Sequence, residues 1–148
     1  MVDEMTPVKK GHRGRKIFGI VLGVFVVLIV AVTLIANAAT KAPLAASNDF
    51  LHAMQSGSAE SAYNLFSTEA KTTVTPAQFE TIVKQVGPIL NAKEKVTNKK
   101  VDAKTGQAST SEITYEIKGT DGLTYSLIVN LTKEGDAWKV LNFDSKKK

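Results

Sequence analysis

The chain has 148 residues, a net charge of +5, two histidines and no cysteine. The missing cysteine excludes disulfides, thiol chemistry, lipoprotein anchoring and a cysteine metal site; with His12 and His52 as the only imidazoles, neither a metal nor a cofactor is expected. The charge is unevenly placed: Lys9, Lys10, Arg13, Arg15 and Lys16 face only Asp3 and Glu4 in residues 1–16, whereas residues 37–148 are close to neutral, so nucleic acid is not an expected partner.

Residues 1–16 read as a basic cytoplasmic tail. Residues 17–36, IFGIVLGVFVVLIVAVTLIA, carry no charge. At about 1.5 Å per residue they reach roughly 30 Å, the thickness of a bilayer's hydrocarbon core. They are expected to form one transmembrane helix. The basic residues before it place the N-terminus inside and the rest of the chain outside the cytoplasm. The alternative is a cleaved secretory signal, since Ala36-Asn37-Ala38 resembles a cleavage site, but the apolar cores of such signals run to about 15 residues at most. Gly19 and Gly23 have the G-x-x-x-G spacing that lets two membrane helices approach closely.

Residues 37–46, interrupted by Pro43, read as a linker, and residues 47–148 as one extracytoplasmic domain. Ala46, Phe50 and Met54 recur every four residues, with Leu51 and Ala53 widening the stripe, which predicts a helix ended by Gly57. Ser58 is placed to cap a second, shorter helix containing Ala62, Leu65 and Phe66. Thr75 and Gln78 form a capping box around Pro76, and Val74 is set to staple onto Phe79. Phe79, Ile82, Val83 and Val86 continue this third helix, which Gly87-Pro88 is expected to stop.

Beyond Pro88 the period becomes two. Ile113, Tyr115 and Ile117 alternate with polar residues up to an Asp121-Gly122 turn; Leu123, Tyr125, Leu127, Val129 and Leu131 follow, then a turn at 133–136 and a last strand from Trp138 to Phe143. A Lys-rich run from Lys95 to Ala103 suits an edge strand. Short turns make every neighbour antiparallel. The expected fold is α+β, about three helices packed on a four-stranded antiparallel meander.

These residues carry a resemblance. Phe50-Leu51-His52-Ala53-Met54 with Gly57, then Ala62-Tyr63-Asn64-Leu65, a capped third helix and a closing Trp138-Lys139-Val140 strand resemble the nuclear-transport-factor-two-like, or cystatin-like, α+β roll. They are most similar to small bacterial single-span membrane proteins whose outer domain has no assigned function. The resemblance implies a pocket between helices and sheet, lined here by Tyr63, Phe79, Tyr115, Tyr125 and Trp138. Its members include isomerases, dehydratases and non-catalytic assembly parts, so fold alone does not choose among them.

Isomerase-like members place Asp or His beside a tyrosine in that pocket. Here Asp49 and His52 lie on the first helix, three apart, flanking the buried stripe and facing solvent, so no catalytic residue is assigned. No phosphate-cradling loop, nucleophile elbow or carboxylate pair is present. Lys95, Lys99 and Lys100 on the edge strand are candidates for contact with a cell-wall polyanion. The expected function is a non-enzymatic binding or assembly domain at a bacterial cell envelope, with another envelope protein or a second copy as partner. The alternatives are a small-ligand or isomerase/dehydratase-like domain and polyanion binding through the lysine edge.

Overall fold

The computed structural model describes Val30 and residues 38–148. The expected span at 17–36, with Gly19 and Gly23, lies outside the described residues apart from Val30. Among the described residues no helix is long and apolar enough to cross a membrane. Ala38–Lys148 form one compact unit.

Among the described residues 38–148, four helices precede four strands. Helix α1 spans 38–55, α2 Ala59–Asn64, α3 Thr68–Thr73 and α4 Pro76–Leu90; β1 is Glu94–Asp102, β2 Thr110–Lys118, β3 Thr124–Glu134 and β4 Ala137–Lys147. The strands form a single antiparallel sheet in the order β1-β2-β3-β4, the meander that alternating side chains and short turns predict. Gly122 and Gly135 close its last two turns at φ of 80° and 60°, values that side-chain-bearing residues rarely adopt.

Helix α1 buries Ser47, Phe50, Leu51 and Met54. It ends in a Schellman motif: Gly57, at φ 74°, donates to Met54 O at 3.1 Å, and Ser58 N donates to Ala53 O at 2.9 Å. Residues 38–46, most of the expected linker, are helical. Pro43 is tolerated there: its ring is buried, and Ala39, whose carbonyl lost a partner, is exposed to water.

Ser58 stands at the N-cap of α2, but its side chain makes no capping bond. Helix α3, which the periodicity does not predict, is capped by Ser67 Oγ accepting from Ala70 N at 3.0 Å. Between these helices the chain touches the sheet, where Val140 N donates to Leu65 O and Ser67 N to Val140 O, each at 2.8 Å. This single parallel bridge at Phe66 covers the middle of the β4 edge.

Helix α4 starts with the predicted capping box of Thr75 and Gln78. It does not stop at Gly87-Pro88 but continues to Leu90, because other elements satisfy its last carbonyls. Thr120, in the β2–β3 turn, donates its hydroxyl to Pro88 O and its N–H to Ile89 O, each at 3.0 Å. Gln55 of α1 donates to Leu90 O at 2.8 Å. Helix ends expose four such carbonyls, so partners drawn from distant residues override a local stop signal. Gly87 serves a second purpose, since a Cβ there would lie 2.5 Å from Met54 O.

The helices cover one face of the sheet. Ile113, Tyr115 and Ile117 of β2, Leu127, Val129 and Leu131 of β3, and Val140 of β4 are buried against Phe50, Phe66, Phe79 and Val83. In β4 the register shifts so that Asn130 pairs with Asn142 but Leu131 with Val140. Leu141 is the extra residue of a β-bulge, which turns both Val140 and Phe143 inward although they are three apart. Fully burying a large apolar side chain contributes roughly 1.5–3 kcal/mol; without a disulfide, this packed layer carries the domain's stability.

Candidate functional site

The space between helices and sheet is occupied by aromatic rings. Phe50 lies 5.5 Å from Phe66, 6.1 Å from Phe79 and 5.3 Å from Phe143, and Phe66 meets Phe79 edge-on at 4.8 Å. Centroid separations of about 4.5–7 Å are those of rings in contact. Tyr63 closes one side, edge-on to Phe66 at 5.7 Å, with its hydroxyl donating to Val74 O at 2.9 Å.

The five expected pocket residues do not converge on a cavity. Tyr63 and Phe79 share the cluster, 6.1 Å apart. Tyr115 is fully buried further along the sheet. Tyr125 of β3 and Trp138 of β4 stand toward opposite ends of the sheet's inward face: Tyr125 pairs with Ile117, and Trp138 pairs with Lys133. The Tyr125 hydroxyl turns outward to Asp121, a hydrogen bond that raises the phenol's pKa and holds the carboxylate below its usual range.

Beside Tyr115 runs a polar seam. Asn48, His52 and Gln55, at i, i+4 and i+7 on α1, each reach a different neighbouring element. Tyr115 Oη lies 2.7 Å from Asn48 Oδ1 and 2.8 Å from Ser47 Oγ. The amide oxygen accepts the phenol's one proton, and the Ser47 hydroxyl completes the network. Burial pushes the Tyr115 phenol up to about 12; the Ser47 hydrogen bond opposes this and the charge of Glu94 adds to it. His52 Nε2 lies 3.1 Å from Glu94 Oε1 at the exposed rim. Burial alone would raise Glu94, but hydrogen bonds, that of His52 foremost, outweigh it and hold the carboxylate below its usual range. Gln55 also donates to Ala92 O at 3.1 Å.

Asp49 is exposed as expected. His52, also expected in solvent, is exposed yet engaged with Glu94. The pattern had marked neither Ser47, Asn48 nor Glu94; the usable signal was the polar stripe 48-52-55 running alongside the apolar one. Among the described residues every buried side-chain polar atom has a hydrogen-bond partner, and no group of three or more His, Asp or Glu is placed to hold a metal.

The register separates the three candidate edge lysines. Lys95 and Lys100 lie opposite Glu116 and Glu112, whereas Lys99 lies opposite the inward Ile113. Lys100 is also ion-paired to Asp102 at 2.9 Å. An open groove of about 810 Å³ lies outside the core, between α2 and α4, lined by Glu60, Tyr63, Glu80 and Lys84. Two of its wall residues pair with each other, Lys84 with Glu80 at 2.6 Å, and Lys71, outside the lining, stands 5.7 Å from the Tyr63 ring centroid.

No family model matches the chain, and no curated protein sequence does. Solved structures do match. One, described as a candidate scytalone dehydratase from Novosphingobium aromaticivorans, covers 78% of this chain and 88% of its own at 12% identity, with a TM-score of 0.51. A candidate aromatic ring hydroxylase from the same organism covers 72% and 91% at 13% identity and TM-score 0.48. A candidate calcium/calmodulin dependent protein kinase II association domain from Xanthomonas campestris covers 71% and 85% at 13% identity and TM-score 0.49. The fold is therefore the nuclear-transport-factor-two-like α+β roll. At such identity the likeness is one of fold.

Proposed function

We propose that the chain is a membrane-anchored, extracytoplasmic binding or assembly domain of a bacterial cell envelope, without a reaction of its own. The observation that carries this reading is the filled interior: four phenylalanine rings occupy the space where a roll of this kind would hold a ligand. The uncharged apolar stretch at 17–36 and the basic residues before it support the anchor and its orientation.

The outer face of the sheet is the surface offered for contact. Thr114, Ser126, Ile128, Asn130 and Thr132 form an uncharged centre, flanked by Glu112 and Glu116 on β2 and by Asp144 and Lys146 on β4. An uncharged centre with a charged rim is the usual anatomy of a protein interface. A photo-crosslinker at Ile128 in the full chain, in native membranes, tests this. The expected result is a discrete adduct, with another envelope protein or a second copy, that is lost on Asn130→Lys and kept on Glu80→Lys. No adduct, or one indifferent to Asn130→Lys, would sink the reading.

A second reading is favoured by one observation. The buried Tyr115 phenol stands on the same flank as the His52–Glu94 pair, the kind of groups an isomerase- or dehydratase-like site uses, and a solved structure of this fold is described as a candidate dehydratase. It requires the seam to open. An activity abolished by both Tyr115→Phe and His52→Ala, with the fold intact, would establish it over the first.

A further inference from the structure

The sheet gathers lysines that the sequence keeps apart. On the outer face, Lys95 of β1 lies opposite Glu116, Glu116 opposite Ser126, and Ser126 opposite Lys146. Next to this rung Lys118 pairs with Thr124, and Lys148 N donates to Thr124 O at 2.9 Å. With strands about 4.8 Å apart and alternate residues about 6.7 Å apart along a strand, these four lysines stand on a patch of roughly 15 by 7 Å. Lys147, between Lys146 and Lys148 in sequence, pairs with Tyr125 of the inward row and so stands on the other face of the sheet. All five are exposed.

Three carboxylates stand nearby, and each is engaged. Glu116 is ion-paired to Lys148, which with Lys95 holds it below its usual range. Asp144 is paired to Lys146 at 3.0 Å. Asp121 feels Lys147 but accepts from Tyr125 and from Leu123 N. Of the four outer-face lysines, Lys95 and Lys118 are left without an ion pair among the described residues. The four outer-face lysines exceed Glu116 and Asp144 by two side-chain charges, which equals the side-chain excess of the whole of residues 37–148, so the remainder is neutral. Those residues contain no arginine. Lysine acts as a point charge without the planar fork that reads a single group bidentately, so the corner is suited to sensing charge density.

We propose that this corner binds a flexible, linear phosphate polymer. Of the three edge candidates it keeps Lys95 and drops Lys99, opposite the inward Ile113, and Lys100, paired to Asp102, and it does not depend on the role of Ile128. The test is titration of labelled long-chain polyphosphate with the full chain in non-ionic detergent. Every variant keeps the basic tail, so differences report the corner. Engaging about three phosphates predicts a loss of affinity of about 20-fold between 50 and 200 mM salt. Substituting Lys95, Lys118 and Lys146 together by Ala should weaken binding at least about tenfold at the lower salt and flatten that dependence, while the Lys99→Ala/Lys104→Ala control stays unchanged. Equal affinity in the triple variant, or an equal loss in the control, would overturn the proposal. So would a triple variant that keeps polyphosphate binding and loses only binding to phosphatidylglycerol vesicles, which would assign the corner to a lipid surface.

Discussion

Tyr115 Oη sits 2.8 Å from Ser47 Oγ, both residues fully buried, joining the middle of β2 to α1 across 68 residues of sequence. The contact fixes how the first helix lies on the sheet. With the neighbouring phenylalanines, it makes the middle of this roll solid.

Tyr115→Phe removes the shared hydroxyl and leaves Ser47 buried without that partner. The expected cost is about 1–3 kcal/mol, read from urea unfolding at pH 7. The alkaline profile gives a sharper signature. The folded phenol ionises near 12 and an unfolded tyrosine near 10. Its contribution is therefore fully present below about pH 10 and falls as pH rises toward 12, by roughly 2–3 kcal/mol. The wild-type minus Tyr115→Phe difference should shrink across that window; a constant difference would mean that the phenol is not sealed.

Gly87→Ala should be among the most damaging single-methyl changes in the domain. The added carbon meets a backbone oxygen, Met54 O, at 2.5 Å, and backbone cannot swing aside as a side-chain tip can. A loss of about 1–3 kcal/mol is expected, despite the gain in helix propensity that such a change usually brings. Thermal melts of the two proteins decide it, and an unchanged or higher Tm would show that α1 and α4 are not in this contact.

Glu94 gives the acid side. Its carboxylate is held below the usual range, so its contribution is present above about pH 4.3 and is lost as pH falls through the lowered value. The pair with His52 is partly exposed, which limits the effect to at most about 1 kcal/mol. Unfolding of wild type and Glu94→Gln between pH 3 and 7 should show a difference at neutral pH that closes in acid. A gap that widens in acid would reverse the assignment.

Local chemistry made much of this fold readable. The Thr75–Gln78 box and the alternation of β2 and β3 announce themselves, because capping and pleating act over a few residues. The misread parts depend on distant partners. Gly87-Pro88 looks like a stop until Thr120 and Gln55 are seen supplying donors to the carbonyls beyond it. Phe143 is out of step with Val140 until the bulge at Leu141 is placed. Pro43 suggests a break unless its burial is known. At the candidate site, the aromatic residues were identifiable but not their separation. That Tyr125 turns to Asp121 while Tyr115 turns to Ser47 depends on the strand register and the helix placement together.

Phe79→Ala should convert the solid interior into a hollow one. Removing a ring that touches Phe50, Phe66, Tyr63 and Phe143 should cost about 3–5 kcal/mol. An apolar void of this kind stays dry and accepts small aromatic molecules. Binding of benzene by the variant and not by wild type, followed through the upward shift in Tm, would locate the cavity.

The most direct test of a filled interior is to titrate the wild-type chain with small aromatic and phenolic probes while following amide and side-chain NMR signals residue by residue. The structure predicts no saturable shift at Phe50, Phe79, Tyr115 or Leu127, with any weak response confined to exposed residues. Saturable shifts at those core positions would contradict it and show that the roll opens to hold a ligand.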